Sequence, residues 1–319
     1  MSAPAIPSGL AFLGPQRFRP TLADAVSTLG IEGDIATVTA GWQERECEVE
    51  ELHEHLGGRA VNLELHRRAD VVFAADPEFA QAHHRRQELF REMQEIYRLR
   101  LDAAMDVCLT LLRRPGHARL LAEETQAAID AVRWLDDAHL VRVRDIHAEF
   151  RERWHPAERA AVRKERDAIA GLIAGVSALA IAGGHVAALT NRLRMFDVLS
   201  LTGERPVLAW SGGAMAASER IVLFHDHPPH GSGHAQVMDE GLGLTEDMIF
   251  LPHVHRRLDL ADTVRVGLMA RRFDPARCVA LEDGATLTWR LNVGWTATPD
   301  CQRLTGEGKL VSLTDDIAA

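Results

Sequence analysis

The run Arg205-Pro206-Val207-Leu208-Ala209-Trp210 leads straight into Ser211-Gly212-Gly213, and the helix-forming Ala214-Met215-Ala216 follows at once. An apolar strand that delivers one serine to a turn flanked by small residues has the layout of a nucleophile elbow, where strand and helix backbones pass too closely for side chains. The same placement puts Ser211 at a helix N-terminus, where free N–H groups and the helix dipole favour developing negative charge. A serine hydroxyl is a weak nucleophile at neutral pH and needs a base, usually histidine, that an acid orients. Two downstream segments offer such groups: His225-Asp226-His227 after the elbow helix, and Pro252-His253-Val254-His255-Arg256-Arg257 after the next apolar run. A Ser-Gly-Gly turn alone is also an ordinary helix cap. The chemistry therefore rests on the combination, and that chemistry is acyl transfer.

Elements able to position these groups recur along the chain. Short apolar runs, as expected of strands buried on both faces of a parallel sheet, occupy Leu10–Leu13, Ile35–Thr39, Val61–Leu65, Ala178–Ile181, Val207–Trp210, Met248–Leu251, Cys278–Leu281 and Thr286–Trp289. Helical stretches such as Glu44–Leu56 and Ala214–Leu223 separate several of them, which is the alternation of an α/β layered fold. Residues 77–155 break the alternation. Leu89, Met93, Ile96, Tyr97, Leu101, Ala104, Cys108 and Leu111 recur at helical spacing, Pro115-Gly116 makes a turn, and Ile129, Val132, Leu135, Val143, Ile146 and Phe150 continue before His155-Pro156. This predicts a long antiparallel helical hairpin inserted between two strands. Its apolar stripe must either pack along the domain or form a homodimer interface. The stretch Ala168–Thr190 has no charged side chain unless His185 is protonated. Its alanines and glycines read as a helix end, a buried strand and a glycine turn better than as a membrane span.

The elbow Ala209-Trp210-Ser211-Gly212-Gly213-Ala214 resembles that of the peptidase E and cyanophycinase serine peptidase family. Further segments match in the same order: Ile181-Ala182-Gly183-Gly184-His185, Gly241-Leu242-Gly243-Leu244, Leu251-Pro252-His253 and Leu281-Glu282-Asp283-Gly284. The resemblance is loose over Leu10–Leu65, good over Ser177–Trp289, and absent from the helical arm. It implies a three-layer α/β/α sandwich with a mainly parallel sheet, flavodoxin-like and class I glutamine amidotransferase-like, forming one domain over residues 1–319 with the hairpin inserted. It also implies Ser211 as nucleophile, His253 as general base, Asp226 as triad acid, and the amides of Gly184 and Gly212 as oxyanion hole. Amidotransferases carry cysteine at the elbow, and none of Cys47, Cys108, Cys278 and Cys301 lies there. The chain departs from the family pattern at Gly212, at His185-Val186 and at Val254, which bears on substrate choice. His185, Arg256, Arg257 and Arg192 are candidates for holding a small peptide or amide substrate.

Composition narrows the classes further. The 319 residues are 46% hydrophobic and 26% charged, an ordinary globular balance, and the net charge of −10 argues against nucleic acid as a partner. Lysine occurs only at positions 164 and 309, so the positive charge is almost all arginine. Scattered cysteines without a C-x-x-C pair, and an N-terminus lacking a basic flank, lead to the expectation of a cytoplasmic protein. His225, His227, His230 and His234 suggest a metal, but their spacing fits no standard site, so neither metal nor cofactor is expected. The competing reading is a catalytically silent amidotransferase-like protein that binds a ligand or partner through the arm.

Overall fold

The apolar runs become strands where both faces can be covered. In the computed structural model, which describes residues 6–226 and 233–317, β1 (Gly9–Leu13), β2 (Ile35–Val38), β3 (Ala60–Asn62), β4 (Ala178–Ile181) and β5 (Val207–Trp210) pair in parallel, in the order β3-β2-β4-β5-β1. A separate antiparallel pair joins β6 (Arg220–Leu223) to β7 (Gln236–Glu240). Next come β8 (Met248–Pro252) and β9 (Arg277–Leu281), parallel to one another, then β10 (Thr286–Arg290), which runs antiparallel to β1 and carries β11 (Gly294–Ala297) at its outer edge. A second sheet of order β13-β12-β9-β8 is completed by β12 (Cys301–Leu304) and β13 (Leu310–Ser312).

Successive residues of the parallel strands point to opposite faces. Leu10, Phe12, Val38, Leu179 and Val207 belong to one core cluster, while Ala11, Leu13, Ile35, Ala178 and Leu208 belong to another. Helices α1 (Leu22–Thr28) and α2 (Glu50–His55) cover the second face through Leu22, Val26 and Leu52. The first is covered from α3 (Leu65–Ala75), which buries Leu65, Ala69 and Val72, and from α6 (Ala160–Ala174) and α7 (Val186–Met195) beyond the arm helices α4 (Pro77–Arg113) and α5 (Ala118–Trp154). The molecule is thus a mixed α/β sandwich around a largely parallel sheet. Short helices α8 (Val198–Thr202), α9 (Gly212–Ala217), α10 (Val254–Arg257) and α12 (Thr314–Ile317), with α11 (Thr263–Phe273), complete it.

Four expectations need correction. Met248–Leu251 and Cys278–Leu281 lie in the second sheet, because β10 already occupies the free edge of β1; Phe250 packs its ring against Phe12 instead, at 4.5 Å. The stretch Ala214–Leu223 is not one helix, since α9 stops at Ala217 and Arg220–Leu223 pairs with β7. Glu44–Leu56 splits into a 3-10 turn ending at Arg45 and the short α2, and Leu65 opens α3 rather than closing a strand. The stretch Ala168–Thr190 is divided among α6, β4 and α7. Among the described residues no helix is long and apolar enough to cross a membrane.

The arm helices are 37 residues each. Asp76 caps α4 by accepting from the Phe79 amide at 3.1 Å, with Pro77 in the first turn, and α5 ends at His155 in the left-handed region just before Pro156. A buried polar junction fastens the arm to the body. The Tyr97 hydroxyl donates to Asp136 at 2.7 Å, and Arg272 of α11 donates to both Asp136 oxygens at 2.6 Å and to the Ala235 carbonyl at 2.6 Å. The Val237 amide of β7 donates back to the Tyr97 oxygen at 3.2 Å. The arm therefore packs along the sandwich and holds β7 in place.

Candidate active site

The connection from β2 leads outward to β3, whereas β4 leads the other way to β5, so the loops leaving β2 and β4 diverge at the carboxyl edge of the sheet. Such a reversal opens a crevice where ligands bind in open α/β folds. A cavity of about 1360 Å³ lies there, lined by Ser211, Gly183, Gly184, Gly212, His185 and His253, with Arg256 and Arg257 at its side.

Ser211 ends β5 and stands before α9 with φ 51° and ψ −122°. A side-chain-bearing residue held there is strained, and such strain concentrates at active sites. The small neighbours are required by contact. A Cβ on Gly183 would lie 2.7 Å from the Ser211 Cβ, and one on Gly213 would fall onto the Ile181 carbonyl oxygen. The backbone of Gly184 packs against Gly212, and among the described residues neither of their amides donates a hydrogen bond to another backbone group. Two such amides beside one serine suit an oxyanion.

His253 follows β8 in the left-handed region, φ 60° and ψ 40°, and faces the same cavity. Burial pulls its imidazole below the usual range and the Arg257 charge adds to this, while Glu282 and Asp283 oppose it. The neutral, proton-accepting form is thereby favoured at neutral pH.

The register explains which carboxylates lie near. Pro252 pairs with Leu281 in the parallel β8–β9 ladder, so the next residues, His253 and Glu282, leave the sheet side by side. Glu282 accepts from the His255 amide at 3.0 Å and lies 3.2 Å from the His255 ring. Asp226 is placed differently. It accepts from Arg265 at 2.8 Å and from the Asp259 amide at 3.0 Å, and its own amide donates to the Arg257 carbonyl at 2.7 Å. Among the described residues none of its hydrogen bonds goes to His253. Asp226 lines a smaller adjoining cavity, and its bonds tie down the segment that carries α10.

Of the other sequence candidates, His185 lines the cavity and caps α7 by accepting from the Ala188 amide at 3.2 Å. Arg256 lies over the Phe18 ring at 5.6 Å and Arg257 over Phe224 at 5.3 Å. Neither has a carboxylate within salt-bridge distance among the described residues, and burial lowers the pKa of Arg257. Arg192 is not brought to the cavity; its guanidinium lies over Phe73. His225 and His234 line the cavity, His255 pairs with Glu282, and His227 and His230 fall outside the described residues. Among the described residues there is no group of three or more His, Cys, Asp or Glu able to hold a metal.

Its position after the second strand offers Gly41-Trp42-Gln43-Glu44-Arg45-Glu46 either as active-site rim or as a helix-starting turn, and part of it reaches the rim. Trp42 and Arg45 come from the loop after β2, where Gln43 has φ 56° and ψ −122°, nearly the conformation of Ser211. That loop is held by buried Glu46, whose carboxylate accepts from the amides of His66 and Arg67 at 2.9 Å, at the start of α3. Arg98 reaches the cavity from the arm. Nothing in its polar helical surroundings marks it.

No family model matches the chain, and no curated protein matches it by sequence. Among solved structures it is similar to the crystal structure of a peptidase from an acI-B1 Actinobacterium, at 14% identity and a TM-score of 0.46, over 96% of this chain and 97% of that one.

Proposed function

We propose that the chain is a serine hydrolase that cleaves a small peptide or isopeptide-like amide through an acyl-enzyme. The observation that carries this is the strained Ser211, wedged against Gly183 at a helix start, with His253 on the same cavity. In this reading the His253 imidazole takes the Ser211 hydroxyl proton while the oxygen attacks the amide carbonyl carbon. The resulting oxyanion is met by the amides of Gly184 and Gly212. Collapse breaks the C–N bond, the amine leaves with the proton from His253, and water activated by the same imidazole releases the acid. The strand order β3-β2-β4-β5 corresponds to the 2-1-3-4 part of a flavodoxin-like sheet, in support of the amidotransferase-like type. It leaves the peptidase E and cyanophycinase assignment resting on the motif order.

For the acid, the β8–β9 register favours Glu282, and Asp226 becomes a positioning residue for the His253 segment. The cavity exceeds the roughly 300–1,000 Å³ usual for small ligands, which suits an extended peptide. Arg256 and Arg257, without carboxylate partners, would face a substrate carboxylate or carbonyl. A fluorophosphonate probe tests the reading. Labelling of the native protein that persists in EDTA and disappears in Ser211→Ala supports it. Absence of labelling of the native protein overturns it and leaves the silent binding protein.

A further inference from the structure

Among the described residues twelve large apolar side chains are exposed, and seven of them lie on α4 and α5. At about 100° per residue, Leu89, Ile96 and Val107 of α4 fall within about 20° of one another, and Leu120, Trp134 and Val141 of α5 within about 60°. The Arg100 guanidinium lies over the Trp134 ring at 5.9 Å, so the two stripes adjoin in one face. Arg98, which lines the cavity, projects roughly 160° round α4 from Ile96, so this face points away from the cleft.

We propose that this face binds a second copy of the chain, two hairpins closing into a four-helix bundle about a two-fold axis parallel to the helices. The apolar stripes extend over about 30 Å of two helices side by side, or roughly 600 Å² per copy and 1,200 Å² in all, the lower bound for a specific interface. Charge selects the arrangement. The pairings Arg100–Trp134 and Tyr97–Asp136 set the level of each α5 residue against α4, which puts Asp145 beside position 89 and Glu124 beside position 110. A two-fold axis along the bundle lays α4 antiparallel on the partner's α5 at equal level. Exposed Arg85 then comes within about 5 Å, along the axis, of Asp145, and exposed Arg114 within about 7 Å of Glu124. Both gaps are within reach of an arginine side chain. The alternative, α4 on α4, would oppose Arg85 to Arg114.

Sedimentation of the full chain tests this. The native protein sediments as a dimer at about 100 µM, and Ile96→Glu with Trp134→Glu sediments as a monomer with its thermal melt retained. Arg114→Glu weakens association about tenfold, and adding Glu124→Arg restores it. If the apolar double variant fails to fold, the charge pair decides alone. A native monomer at that concentration, or a dimer indifferent to the charge changes, overturns the proposal, and a native monomer would assign the face to a different partner.

Discussion

Asp136→Asn is the sharpest probe of how the arm belongs to the molecule. The Asp136 and Arg272 side chains are each 1% exposed, and Tyr97 is 3% exposed, so bulk solvent screens the pair poorly. Burial alone would pull the Arg272 pKa down, yet Asp136 and Tyr97 outweigh it and push it above its ordinary value. Asparagine keeps the shape and one acceptor but leaves a guanidinium buried without a counter-charge. Breaking a buried pair from one side costs about 3–5 kcal/mol, and the retained acceptor places this variant near 3 kcal/mol. That is a large part of an ordinary folding stability, and urea unfolding followed by circular dichroism at pH 7 should show it with the m-value unchanged. The neighbouring Asp137, 63% exposed and 3.2 Å from Arg220, supplies the control. Its Asp137→Asn change should cost less than about 0.5 kcal/mol. A loss below about 1 kcal/mol for Asp136→Asn would refute the account of the junction.

Other outcomes follow from the same geometry. Burial first of all lowers the pKa of His83 to about 3 and of His139 to about 4. The unfolded chain therefore binds these protons from pH ~6.5 downward while the folded chain does not, so stability is complete above pH ~6.5 and falls as pH drops toward 4. The slope is about 1.4 kcal/mol per pH unit for each histidine, and urea midpoints of His83→Gln should fall less steeply. Because burial and Arg257 depress His253, probe labelling should hold at pH values below the usual imidazole range, and Arg257→Gln should move the acidic limb upward. Glu282→Gln should slow labelling by about a hundredfold or more, whereas Asp226→Asn should keep most labelling and lower stability by about 1–3 kcal/mol through the lost Arg265 and Asp259 bonds. The reverse ranking would restore Asp226 as the acid.

The parallel strands were legible because a strand covered on both faces has no polar side, as Leu10–Leu13 and Ala178–Ile181 show. The hairpin was legible from its 3.6-residue period, and its ends from Pro77 and His155-Pro156. What the chain hid is decided between segments. Arg220–Leu223 continues the apolar pattern of α9 and becomes a strand only because Gln236–Glu240 is there to pair with it. Glu282 acquires its place near His253 from the β8–β9 register, which no local pattern encodes. Nothing in the segment around Asp226 announces Arg265, 39 residues on, which binds its carboxylate. Arg98 faces the cleft because of how the arm lies on β7, information held in the distant Arg272 and Asp136.

The arm enters between β3 and β4 and interrupts no strand, while Ser211, His253 and the amides of Gly184 and Gly212, the groups the proposed hydrolysis uses, follow strands of the sandwich. The wall carrying Arg98 and the segments carrying Ser211 and His253 are thus separately encoded. Changes along α4 can accumulate and redraw the cleft wall while Ser211 and His253 keep their positions, so under the proposed function the substrate range can diverge among descendants faster than the catalytic step.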